Sequence, residues 1–101
     1  MKKCVTIYFN IAISDEILET LRANGVTAYS MWPRMTGNGP VTGPRLDSHV
    51  WPGANAGIQT VLDENLSNKL MDALQVLRNG DIGRDSGLYA FVTPVERVLE
   101  G

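Results

Sequence analysis

A chain of 101 residues, 44% hydrophobic and 20% charged, has the length and composition of one globular domain. The net charge of −2 comes with nine Lys and Arg residues that never cluster beyond Lys2–Lys3, which argues against nucleic-acid binding, since phosphate contacts need a basic patch. The single cysteine, Cys4, excludes an internal disulfide and suits a reducing compartment; no apolar run approaches the ~20 residues of a membrane span, and the N-terminus lacks a small-residue cleavage site, so a cytoplasmic protein is expected.

Cys4–Phe9 is rich in β-branched and aromatic residues and reads as a first strand, with Val5, Ile7 and Phe9 on one side and Cys4, Thr6 and Tyr8 on the other. Ser14 is placed as a helix N-cap, followed by Asp15 and Glu16 where the helix dipole favours anions. Ile17, Leu18 and Leu21 form the apolar stripe of a helix over Ser14–Asn24, closed by Gly25. Val26–Trp32 reads as a second strand ended by Pro33, which cannot donate to a ladder. Arg34–Ala56, dense in glycine and proline, reads as a long flexible loop, and connections of that length are usually functional. Gly57–Leu62 is the third strand, with Ile58, Thr60 and Leu62 on one face. Asp63 or Asn65 then caps a second helix whose apolar face is Leu66, Leu70, Ala73, Leu74 and Leu77, widened by Met71 and Val76 and ended by Gly80. Leu88–Val92 is the fourth strand, interrupted by Pro94, with a short extension over Val95–Leu99.

The order β-α-β, loop, β-α-β describes an α+β ferredoxin-like βαββαβ sandwich in one domain, an antiparallel sheet with two helices on one face. The other face would carry Cys4, Thr6, Tyr8, Ser30, Trp32, Tyr89 and Phe91, too apolar for solvent, so homo-oligomerisation through the sheet is expected.

Asn79–Val92, reading NGDIGRDSGLYAFV, is the most distinctive stretch. Gly80, Gly83 and Gly87 permit positive φ, and successive backbone N–H groups so turned form an anion-binding nest. The plain alternative is a polar helix-to-strand connection with Gly80 as C-cap.

Taken together, the sequence resembles the P-II nitrogen-regulatory signalling family. The likeness rests on the opening MKKCVTIYF and ISDEILETLRANGVTAYSM, on Thr36-Gly37-Asn38-Gly39, similar to the Gly-X-Gly at the base of the family's T-loop, and on NGDIGRDSGLYAFVTPVERVLEG. That last segment is similar to the family's Thr-Gly-Lys-Ile-Gly-Asp-Gly-Lys, aromatic strand and Val-X-Arg-Val ending, with Arg97 at the arginine position. The resemblance implies a homotrimer that binds an adenine nucleotide (ADP or ATP) or another small anion in inter-subunit clefts. It implies a loop that docks on a target protein, such as a transporter or enzyme. By position it implies effector contacts at Thr27, Gly37, Gly39, Gly83, Arg84 and Gly87. Against the family pattern the T-loop is short, the sequence ends at Gly101 before the later paired arginines, and only Arg84 supplies the charge of the missing loop lysine.

Two further readings stand beside this one. His49, with Asp47 two residues away and Cys4 as a distant soft ligand, is a candidate transition-metal site in metal sensing or tolerance. Trp51, beside Pro52 and Gly53, is a candidate partner-contact residue. No nucleophile elbow, supported Cys–His pair or Walker A sequence occurs, so an enzyme is not expected.

Overall fold

The computed structural model describes residues 1–39, 43–45, 54–84 and 86–100. Strand β1 (Lys2–Asn10) leads through a 3-10 turn (Ile11–Ile13) into helix α1 (Ser14–Ala23). Strand β2 (Ser30–Met35) follows, then a short hairpin of β3 (Gly37–Gly39) and β4 (Gly43–Arg45). Strand β5 (Asn55–Asp63), helix α2 (Glu64–Asn79) and strand β6 (Tyr89–Pro94) complete the chain. The main sheet has the order β2-β5-β1-β6 with every neighbouring pair antiparallel. This is the expected split βαβ arrangement.

Alternation along β1 sets the layers. Val5, Ile7 and Phe9 are completely buried, as is Ile58, and with Ala56 and Leu62 they form a floor on which Ile17 and Leu21 of α1 and Leu70 and Leu74 of α2 pack. Both helices therefore lie on one face. Val76, expected to widen the α2 stripe, is instead 75% exposed. Ser67 takes a buried position unforeseen from the pattern, its hydroxyl satisfied by donating to the Glu64 carbonyl at 2.8 Å.

The element ends depart from the expectations for local reasons. Ser14 is not the cap of α1; it is already helical, and the Asn10 side chain instead accepts the Ala12 N–H at 3.0 Å and starts the preceding 3-10 turn. Gly25 follows the helix at φ +82°, a conformation that favours glycine. Asp63 stands at the N-cap of α2 without capping it, because its carboxylate reaches back to Lys2 Nζ at 3.2 Å. Pro33 does not end β2. It lies inside an edge strand, where the register slips between Trp32 and Met35 and the missing N–H is not needed. The expected loop over 34–56 is correspondingly shorter, since Arg34 and Met35 belong to β2, Gly37–Gly39 and Gly43–Arg45 are paired, and Asn55 and Ala56 begin β5.

The face away from the helices carries rows fixed by register: Trp32, Gly57, Tyr8 and Tyr89 in one, Ser30, Gln59, Thr6 and Phe91 in the next. Trp32 is 46% and Tyr89 62% exposed, and Tyr8 meets Phe91 edge-on at 6.2 Å. Gly57 is the gap that lets this row close up: a Cβ there would lie 3.0 Å from Met35 Sδ, 3.2 Å from Trp32 Cε3 and 3.3 Å from Tyr8 Cδ1. Gly57→Val should therefore overpack the row and destabilise by about 1–3 kcal/mol, read as a lower urea midpoint with an unchanged m-value.

Candidate effector site

The turn after α2 is built by its own backbone. Gly80 N–H donates to Leu77 O, Arg84 N–H to Gly80 O at 3.1 Å and Ser86 N–H to Gly83 O at 3.3 Å. The Ser86 hydroxyl, buried, donates to the same Gly83 carbonyl at 2.7 Å. These N–H groups are thus spent within the turn rather than converging outward as a nest. Of the three glycines only Gly87 has positive φ, +71°; Gly80 is extended at φ −84°. Gly83 is required for a different reason: a Cβ on it would sit 2.2 Å from the Leu77 carbonyl oxygen and 2.7 Å from Arg78 Cα, so the turn folds directly against the last turn of α2. Arg84 is left on the surface, its guanidinium donating to Asp81 at 3.1 Å with both side chains largely exposed.

A second glycine segment arrives at the same end of the sheet. Asn10, the last residue of β1, donates its N–H to Ser86 O at 2.9 Å, and Ile11 N–H donates to Ala54 O at 3.0 Å. Asn55 stands opposite Asn10 on one side and Met35 on the other. Its side-chain Nδ2 lies 2.6 Å from where a Cβ of Gly37 would be, so the start of β3 rests on Asn55. The backbone therefore brings Gly37–Gly39 and the Gly83–Gly87 turn to one sheet end, joined through Asn10 and Asn55. Neither asparagine, nor Ser86 in this bracing role, stands out in the sequence. The alternation Ala54, Ala56, Ile58, Thr60, Leu62, all buried, is the available signal that β5 begins before Gly57.

Thr27 lies elsewhere in the chain. It precedes Ala28, whose carbonyl accepts from Thr60 Oγ1 at 2.8 Å, and Thr60 is ~16 Å along β5 from Asn55 at the usual strand rise. Thr27 instead lines an open groove of about 430 Å³ with Asp15, Leu18, Glu19, Arg22, Val26 and Tyr29. On its rim the Arg22 guanidinium donates to the Glu19 carboxylate at 2.7 Å, and this hydrogen bond holds the Glu19 carboxyl below the usual range while raising Arg22. A lowered carboxyl favours the fold above its ordinary range and loses that contribution as the pH falls through the lowered value; at full exposure solvent screens it.

Cys4 is half-buried on the open sheet face, and no group of three His, Cys, Asp or Glu side chains suited to a metal occurs among the described residues. His49, Asp47 and Trp51 lie outside the described residues.

No protein-family model and no curated protein matches the sequence. Solved structures do. A PII-like signalling protein of Thermus thermophilus, TTHA0516, matches over 91% of this chain and 84% of its own at 20% identity and a TM-score of 0.64. CPII of Thiomonas intermedia bound to ADP and bicarbonate matches over 91% and 83% at 21% identity and a TM-score of 0.71. The same nitrogen regulatory PII-like protein bound to ADP, AMP and bicarbonate matches over 91% and 83% at 19% identity and a TM-score of 0.72. The fold is that of the PII-like signalling proteins. Within this PII-like fold, none of the described helices is long and apolar enough to cross a membrane.

Because Gly83 abuts main chain rather than a yielding side chain, Gly83→Ala should loosen the turn and lower the thermal midpoint. Ser86→Ala removes one buried hydrogen bond and should cost about 1 kcal/mol in urea unfolding.

Proposed function

We propose that this protein is a PII-like regulator that senses a small anionic effector, an adenine nucleotide in the first instance, and passes its occupancy to a partner protein in the cytoplasm through the loop between β2 and β5. The role is regulatory rather than catalytic. The observation that carries the reading is the meeting of Gly37–Gly39 and the Gly83–Gly87 turn at one end of the sheet through Asn10 and Asn55. Arg84, exposed on that turn, is a cation that an anionic group bound there could meet. CPII, which shares the fold, was solved with ADP, AMP and bicarbonate, and these are the effectors to try first.

The site is completed between subunits. Thr27 is too far from Gly37 to join it within one chain, so it enters the cleft from a neighbour. The row of exposed Trp32 and Tyr89 with half-buried Tyr8 supplies the apolar face on which a homotrimer closes. Effector binding biases the loop, and by linkage the partner tightens the effector.

Native mass spectrometry with ADP, ATP, bicarbonate and Zn²⁺ tests this. The expected result is a trimer that takes up three ADP molecules, with Arg84→Ala weakening uptake about tenfold through the lost charge-assisted contact. A monomer, or a trimer indifferent to every anion, removes the reading. Uptake of Zn²⁺ abolished by His49→Ala would replace it with the metal alternative built on His49, Asp47 and Cys4.

A further inference from the structure

Two surfaces lie apart from the sheet end where Gly37–Gly39 and Gly83–Gly87 meet. One is the groove beside α1, which combines apolar Leu18, Val26 and Tyr29 with the carboxylates of Asp15 and Glu19. Its Arg22 is already paired with Glu19, whereas Asp15 has no ion pair among the described residues. The other is the C-terminal segment after β6. Val95 N–H donates to Lys2 O at 3.1 Å, and every residue from Glu96 to Glu100 is exposed. Leu99 is 99% exposed, and Arg97 has no ion pair among the described residues. In an extended segment Arg97 and Leu99 point to one side, while Glu96, Val98 and Glu100 point to the other. One side of the tail thus offers a cation next to a large apolar side chain, and the groove offers an anion next to an apolar wall.

We infer that the C-terminal segment of one copy seats in the α1 groove of a second copy, Leu99 against Leu18, Val26 and Tyr29, and Arg97 beside Asp15. Topology places the two surfaces on opposite margins of the same half of the sheet. The tail leaves β6 beside Lys2, which faces Asp63. The groove segment leads into β2, and its Ala28 carbonyl accepts from Thr60, ~10 Å along β5 from Asp63. Extended, the four residues from Glu96 to Leu99 span ~13 Å, enough to reach from one margin onto a neighbour's helix. Because the two patches differ, the contact is head-to-tail and repeats around a ring. That the ring holds three copies rests on the trimer proposed above. Side chains make the contact, so it needs no strand addition at the margin bearing Pro33. Burial of Leu99 supplies affinity, and the Arg97–Asp15 pair sets register and direction.

Sedimentation equilibrium of the full chain, without ligand, tests the docking. Leu99→Asp should raise the dissociation constant of the assembly about tenfold. Arg97→Asp and Asp15→Arg should each weaken assembly about fivefold, and the two together in one chain should restore it, which separate structural roles would not do. All three side chains are exposed in the single chain, so its fold does not depend on them. Separately, a Leu99→Cys chain mixed with a Glu19→Cys chain, both carrying Cys4→Ser, should give a disulfide-linked pair under oxidised glutathione. An assembly indifferent to Leu99→Asp, charge changes that weaken it without mutual rescue, or no mixed disulfide overturns the docking and leaves a trimer closed by the aromatic sheet face standing. A wild-type monomer overturns trimer and docking together. A trimer that passes every test yet ignores ADP removes the effector reading and upholds the docking.

Discussion

The long antiparallel pairing of β1 with β5, from Lys2 opposite Asp63 to Asn10 opposite Asn55, is the constraint on which the rest depends. It fixes Val5, Ile7 and Phe9 beside Thr60, Ile58 and Ala56, and so decides which side of the sheet the helices cover. A slip of one residue would turn that set outward and present Thr6 and Tyr8 to the helices instead. The same pairing decides where the chain's glycine segments end up. Because β1 finishes where β5 begins, the connection into α1, the loop before β5 and the turn before β6 are all delivered to a single end of the sheet.

At that end the fold relies on main chain more than side chains. Asn10 and Ile11 each give a backbone N–H to a different returning segment, and Ser86 braces its turn with both N–H and hydroxyl on one carbonyl. This leaves the exposed charge, Arg84, on a braced support. It also leaves Asn55 as the point where support and loop meet, its amide nitrogen 2.6 Å from where a Cβ on Gly37 would be.

Much of this is legible in the sequence where the signal is local and periodic. The alternation of β1, the stripe Ile17, Leu18, Leu21 and the α2 face around Leu70 and Leu74 appear as read, because solvent and core impose those periods directly. What is not legible depends on neighbours remote in sequence. Pro33 reads as a strand end, yet on an edge strand with a register slip its missing N–H goes unneeded. Asn55 and Ala56 have poor strand propensity and read as loop; pairing with β1 overrides it. Gly83 reads correctly as special, but the reason, its approach to the Leu77 carbonyl, is a matter of steric access and not of backbone sign. Resemblance groups Thr27 with the glycines, and a strand's length separates it from them within the chain.

The placement of prolines on the sheet has one more consequence. In the described residues both margins of the sheet, β2 and β6, carry a proline, Pro33 and Pro94, and β2 is further distorted by its register slip. A margin lacking a donor and bent out of line is a poor template for another chain's strand. Open-ended, fibre-like growth by strand addition at these margins is thereby discouraged.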